Sequence, residues 1–259
     1  MAHVVALSNQ KGGVAKTTTT ISLGASLAGM GRRVLLVDLD PQSNLSLSLG
    51  HQDDAPGETI SDALETALNP RKVDWDELIR HTSQENLDIV PSDARLWTVE
   101  RLITEKQGYE YELKTLLARW QKIYDYILVD CSPSLGPLTV MALTAADRVI
   151  IPIQTEFLAV VGLVRLIETI DAVKEHTNSN LEFNLLAVMY DQRNGICRDV
   201  LTKLQENFSA RLFSTVIGVD TRLKECVAVG QPITQYDPRT RATQQYGMLA
   251  DEIERIIDR

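Results

Sequence analysis

The chain has 259 residues, 44% of them hydrophobic and only 5% aromatic, and its 26 Lys and Arg against 35 Asp and Glu give a formal charge of −9. That length can bury one sizeable core, and the excess of acid argues against a general binder of nucleic acid or of membranes. Cys131, Cys197 and Cys226 lack C-x-x-C spacing, and an odd number suits no disulfide framework. No stretch approaches the ~18 apolar residues of a membrane span, so a cytoplasmic protein without a membrane partner is expected.

The elements follow in chain order. HVVALS predicts a first strand and ISLGASLAGM a helix; RRVLLVDLD and NLDIVPS predict two further strands. Between these two, residues 51–82 are least regular: HQDDAPGE is polar and turn-like, before a short helix from Ile60. TVERLITEK and YELKTLLARWQKI carry apolar residues at intervals of three and four, as helices do. YDYILVD and DRVIIPI are the next strands, VVGLVRLIETIDAVKEH a long helix, FNLLAVMYD and ARLFSTVIG the last strands, and QQYGMLADEIERIID a closing helix. Apolar runs of about six residues alternating with amphipathic segments predict an α/β fold: a doubly wound, mostly parallel sheet with helices on both faces. No repeat, low-complexity tract or linker divides the chain. A single domain over residues 1–259 is therefore expected, and a first strand at residue 3 leaves no room before it for a helix-turn-helix.

The charge is local. Residues 51–112 hold 15 acidic and 6 basic residues and so carry −9, equal to the whole chain. This is either a solvated helical face or a docking surface for a basic peptide.

Three motifs carry chemistry. The first, SNQKGGVAKTTTT (residues 8–20), joins a strand to a helix, where free backbone N–H groups and the positive end of the helix dipole suit a phosphate. Lys16 is placed to meet the β and γ phosphates and Thr17 to ligate Mg²⁺. The usual GxxxxGK[ST] pattern is not met, since Gln10 and Ala15 occupy its glycine positions, and a second lysine, Lys11, stands before Gly12 and Gly13. The second motif, VLLVDLDPQSNLS, ends a strand with Asp38 and Asp40; the third, YILVDCSPSLG, ends one with Asp130. Ligands of doubly wound sheets bind beyond the carboxyl ends of the strands, which places all three aspartates near the loop.

KGGVAKTT, DLDPQSN and VDCSPSLG resemble the deviant Walker ATPases, and within them the ParA (Soj-like) partition branch, a sister of MinD. The likeness extends to IPIQTEFLAVVGL, LLAVMYDQR and GQPITQYDPRTRATQQYGMLADEI, nearly the whole chain. It implies a slow, partner-stimulated ATPase that takes ATP and Mg²⁺ and dimerises around two nucleotides. Lys11 is then the signature lysine, reaching the phosphates held by the other subunit, while Lys16 serves its own. Lys11, Lys16 and Asp40 are implied as catalytic, Asp40 through the attacking water; Thr17, Asp38 and Asp130 lie at the metal. Gly12, Gly13, Val14, Ala15, Thr17 and Thr18 complete the phosphate cradle, and Met189 and Asp191 lie on the adenine side.

Three departures stand out. Ala15 replaces a glycine, which requires a negative φ there. Ser132 replaces a proline, so a looser turn after Asp130 is expected. Gly218 and Val219 replace the Pro-Arg pair of IPRNVRLSEAPSYGKPI, removing one basic residue and weakening the adenine assignment at 217–220.

Members of the branch bind DNA without sequence preference as ATP-bound dimers on the nucleoid and work with a ParB-like adaptor. The resemblance implies Arg193, Arg198, Arg222 and Lys224 as the DNA contacts, with Arg239 and Arg241 behind them. The cargo stays open: a plasmid, a chromosome origin, or a protein body such as a carboxysome. Two other classes also remain. A MinD-like membrane cycler needs lysines on an amphipathic tail, where this chain has ADEIERIIDR; the third class is a metabolic or redox relative, such as a dethiobiotin synthetase type enzyme or the nitrogenase iron protein, of which the iron protein needs two placed cysteines for a shared cluster, where only Cys131 lies near the motifs.

Overall fold

The computed structural model describes residues 1–51, 57–156 and 159–257. Among them seven strands form one sheet: β1 (His3–Leu7), β2 (Val34–Leu39), β3 (Arg80–His81), β4 (Leu87–Val90), β5 (Tyr126–Cys131), β6 (Arg148–Gln154) and β7 (Glu182–Val188). The helices are α1 (Lys16–Gly29), α2 (Asn44–Ser48), α3 (Ile60–Glu65), α4 (Trp75–Leu78), α5 (Leu96–Ile103), α6 (Glu112–Leu117), α7 (Pro137–Ala145), α8 (Ala159–His176), α9 (Gly195–Phe208), α10 (Arg222–Ala228), α11 (Ile233–Tyr236) and α12 (Arg241–Ile257).

The sheet order is β3-β4-β2-β5-β1-β6-β7, parallel throughout except for the short β3 edge against β4. Alternation along each strand feeds two cores, as a sheet covered on both faces requires. In β1, Val4 and Ala6 enter one core with α3 and α5 to α9, whereas Val5 and Leu7 enter the other with α1 and α12. Helix α1 lies close on the sheet because Gly24 has no side chain: a Cβ there would come within 2.7 Å of Leu36 Cδ2.

The crossover from β1 to β2 moves one way across the sheet and that from β5 to β6 the other. Their meeting point, between β1 and β5, is where doubly wound folds open a ligand crevice. Register makes this concrete, since Leu7 and Asp38 both lie opposite Asp130.

The strand expected at ARLFSTVIG does not form. Isolated bridges, Leu185 with Leu212 and Tyr190 with Gly218, and single bonds such as the Ile217 N–H to the Ala187 carbonyl at 2.9 Å link it to the β7 side in place of a ladder. The reason is a competing acceptor: Glu252 on α12 takes the N–H groups of Ser214 and Thr215 at 2.7 and 3.0 Å, so the ladder breaks in mid-run. The short helix expected from Ile60 is α3; residues 52–56 of HQDDAPGE lie outside the described residues.

Candidate active site

The first motif leaves β1 and enters α1 at the crevice. Gly12, Gly13, Ala15, Lys16, Thr17, Thr18 and Asp40 line a cleft of about 300 Å³, with Gln42, Asn44 and Ser48 from the second motif, Pro133 from the third, and Met189 after β7. Val14 is an exception among the expected cradle residues: its side chain is buried, so only its backbone N–H is available to a ligand.

Lys16 is buried, its Nζ 3.4 Å from the Lys11 carbonyl. Burial lowers its pKa, and Asp130, Cys131 and Asp40 oppose that fall by favouring the charged form. Thr17 donates its hydroxyl to Asp130 Oδ2 at 2.6 Å, and Thr20, one turn further along α1, donates to Oδ1 at 3.2 Å. Asp38 is held from behind: Ser46 donates its N–H and hydroxyl to Oδ2 at 2.8 and 2.6 Å, and the Asp40 N–H reaches Oδ1 at 3.2 Å. Asp40 in turn accepts the Gln42 N–H at 3.0 Å.

Three buried carboxylates therefore share one strand-end cluster. Burial, with the Asp130 charge beside it, pushes Asp38 up to about 8. Burial likewise pushes Asp130 up to about 7, against the hydrogen bond from Thr17 and the charge of Lys16. Three carboxylates gathered at the end of a parallel sheet, with Lys16 beside them, form an oxygen-rich donor set that fits a divalent cation. The Thr17 hydroxyl and the Asp130 carboxylate, already in contact, are the pair that would hold Mg²⁺ or its water, with Asp38 behind them.

Ala15 overturns the expectation of negative φ: it adopts φ 59° and ψ 31°, in the left-handed region. The turn into α1 demands that conformation, and Ala15 bears the Cβ crowding a glycine would escape. Ser43, before α2, and Met189 share the left-handed conformation, so three non-glycine residues at or beside the cleft are strained. The turn after Asp130 is not left loose by Ser132, whose hydroxyl lies 3.0 Å from that of Ser134; the Ser134 Oγ accepts the Gly136 N–H, and its carbonyl accepts the Thr139 hydroxyl.

Lys11 points neither into its own cleft nor freely outward. Its Nζ donates to Gln154 Oε1 at 2.8 Å and pairs with Glu156 Oε2 at 2.9 Å, at the end of β6. Gln154 also donates to the Gly13 carbonyl at 3.0 Å, so one glutamine braces both the loop and the second lysine. Gln154, Glu156, Ser46, Thr20 and Asn44 escaped the sequence reading. Ser46 and Asn44 lie within a motif already singled out, while Gln154 and Glu156 are over 140 positions from Lys11 and carry no local signal.

On the adenine side, Met189 faces the cleft, but Asp191 is bound to Arg193, which donates from Nε and Nη2 at 3.0 and 2.8 Å. These bonds hold Asp191 down at about 2. The four expected DNA contacts lie outside the cleft. Arg193 is taken by Asp191, Arg198 donates to the Gln192 carbonyl at 2.7 Å, and Arg222 is paired with Asp237 at 2.9 Å and Glu225 at 3.5 Å. Lys224 stands on α10 beside Arg222.

A family model described as an AAA domain matches residues 2–183. The sporulation initiation inhibitor protein Soj of Bacillus subtilis is 40% identical over 254 residues, covering 98% of each chain. The chromosome partitioning protein ParA of Myxococcus xanthus is 40% identical over 252 residues, 97% of this chain and 87% of that protein. Among solved structures, a cobyrinic acid a,c-diamide synthase from Mycobacterium smegmatis, with bound ATP analogue and magnesium, superposes with a TM-score of 0.83 at 36% identity, covering 100% of this chain and 96% of that one. With a lysine on each side of the glycine pair, aspartates at two strand ends and this near-complete correspondence, the chain belongs to the ParA and Soj branch of the deviant Walker A ATPases.

Proposed function

We propose that the chain, acting as one domain, is an ATPase that dimerises on binding ATP and Mg²⁺, associates with DNA without sequence preference, and positions a cargo on the nucleoid through a ParB-like adaptor that stimulates turnover. The observation that carries this reading is the division between the lysines: Lys16 is buried among the carboxylates of its own cleft, and Lys11 sits half exposed in a replaceable pair with Glu156. An exposed ion pair is worth about 0–1 kcal/mol, so a triphosphate from a second copy could win Lys11 at little cost. Hydrolysis then waits for the dimer, because the cation that offsets leaving-group charge arrives in trans, as an arginine finger does.

Within one cleft, the backbone N–H groups of Gly12 to Thr17 would cradle the phosphates and the Lys16 ammonium would offset their charge. Thr17 and Asp130 orient the metal, which when bound offsets phosphate charge. Asp40, anchored by the Gln42 N–H on Oδ1, faces the cleft, and its Oδ2, which takes no hydrogen bond among the described residues, is placed to orient a water. Against a MinD-like membrane cycle, the apolar face of α12, Tyr246, Leu249, Ala250 and Ile253, is spent in the core against α1. No helix of the described residues is long and apolar enough to cross a membrane.

One observation favours a second reading, an ATP-dependent amide-forming synthase, because the solved relative carries that name at 36% identity. Asp40→Ala separates the two. In a partition ATPase it keeps ATP, loses hydrolysis by at least about 100-fold, and elutes as an ATP-bound dimer in size-exclusion chromatography. A variant that elutes as an ATP-bound monomer overturns the assignment of Asp40, and wild-type turnover that rises only with an added carboxylic acid and amide donor supports the synthase.

A further inference from the structure

The loop at 217–220 is built around an arginine that the nucleotide site does not otherwise use. Gly218 lies outside the left-handed region, so its lack of a side chain serves space and not backbone freedom. A Cβ there would stand 3.0 Å from both Cζ and Nη2 of Arg241 and 3.3 Å from Nε: the guanidinium lies flat over the glycine. Arg241 Nη2 also donates to the carbonyl of Val219. The first turns of α12 hold the same loop twice more. Gln245 accepts the Gly218 N–H at 3.0 Å, and the Ala242 N–H reaches Asp220 Oδ2 at 3.3 Å.

The loop in turn is laced to the segment leaving β7. Tyr190 donates its N–H to the Ile217 carbonyl at 3.0 Å and accepts the Val219 N–H at 3.2 Å. Tyr190 lies between Met189, which lines the cleft in a left-handed conformation, and Asp191, whose carboxylate feels the Arg241 charge. A strained residue persists only when its surroundings over-determine it, and this lacing is what surrounds Met189.

We propose that Arg241 is a positioning residue for the base side of the nucleotide cleft, packing over Gly218 to fix the 217–220 loop and, through Tyr190, the Met189 wall against which a nucleoside would lie. The inference rests on the nucleotide-binding reading above, and it assigns to α12 a part in nucleoside affinity that the phosphate loop does not share.

The test measures binding of ATP, ADP and inorganic tripolyphosphate, each with Mg²⁺, by calorimetry. Arg241→Ala should weaken ATP and ADP about fivefold, the scale of one ordinary hydrogen bond because the arginine acts through the loop, while tripolyphosphate, which engages only the phosphate loop, stays within about twofold. Gly218→Val should displace the guanidinium and produce the same pattern. The double variant should then bind no worse than the weaker single one, because both changes break one arrangement. Arg241→Lys, with a charge but no planar fork, should recover less than half of the loss. Unchanged ATP affinity in Arg241→Ala, equal losses for ATP and tripolyphosphate, or losses that multiply in the double variant would each overturn the proposal. Reduced DNA affinity with intact ATP affinity would overturn it too, since Arg241 would then serve DNA alone. A wild-type protein that binds tripolyphosphate but not ATP leaves the phosphate loop standing and removes the base site; one that binds neither defeats the nucleotide reading itself.

Discussion

At the scale of single residues, the two lysines differ in what surrounds them, and that difference predicts how they fail. Lys16 is 7% exposed, and its ammonium lies near the buried Asp130 and Asp40 carboxylates at the proposed phosphate site. Removing it leaves those charges less balanced and the cradle without its cation. Lys16→Ala should therefore weaken ATP binding at least about 100-fold, in keeping with the loss of charge-assisted contacts worth ~3 kcal/mol. Among the described residues the Lys11 ammonium bonds Gln154 and Glu156, so Lys11→Ala should change monomeric ATP affinity less than about threefold while lowering turnover by about 1,000-fold, the lower range for a cation supplied in trans. Equilibrium binding and steady-state hydrolysis on the same preparations check both halves, and matched affinity losses would sink the division of labour. The placement of both lysines in the strand-to-helix loop was open to sequence reading because the loop is a local pattern. The Glu156 pair was not, because it joins residues 145 positions apart and depends on β1 and β6 lying side by side.

At the scale of elements, periodicity told most where one face of a segment is apolar. The helices at Ile60 and in the closing stretch follow such patterns. Helix α7 does not, since seven of its nine residues are buried and no polar face interrupts them to set a period. Strand β3 has two residues, too few to show alternation, and ARLFSTVIG has the composition of a strand but loses its ladder to Glu252. The start of α1 is the sharpest case, because alanine gave no hint of the left-handed φ of 59° that the turn imposes. That conformation costs an alanine about 1–2 kcal/mol, and a glycine would give back roughly 0.5–1 kcal/mol of it through added freedom in the unfolded chain. Ala15→Gly should thus stabilise the nucleotide-free protein by about 0.5–1 kcal/mol. Chemical denaturation would read it as a higher midpoint at unchanged slope. Destabilisation would mean that the Ala15 methyl makes contacts worth more than its strain.

At the scale of the whole molecule, the proposed association with DNA has to be reconciled with a charge of −9. Part of the acidity is internal. Burial works to raise the pKa values of Asp62 and Asp93, yet Arg95 hydrogen-bonds both and leaves them lowered, and Arg71 joins Asp62. Those carboxylates serve the fold, which thins the acidic patch available to steer a basic adaptor peptide. The DNA contacts implied by the resemblance begin from occupied states, with Arg222 on Asp237 and Glu225 and Arg193 on Asp191. Phosphate must displace a partly exposed carboxylate in each case, a solvent-screened exchange that one monomer's contacts scarcely repay. A two-fold dimer doubles the contacts, and since their energies add while affinities multiply, binding should switch on steeply with ATP. Wild-type protein should retard random-sequence duplex DNA with ATP and not with ADP, and added salt should weaken it by a slope of about −0.9 per phosphate engaged. Arg222→Glu should abolish the shift while the ATP-dependent dimer persists in size-exclusion chromatography, and Asp237→Asn, by removing the nearer of the two carboxylates that hold Arg222, should tighten binding about twofold to fivefold. Retardation that survives both Arg222→Glu and Arg198→Glu would place the surface elsewhere, and no retardation in the ATP state would remove the nucleoid from the proposed function.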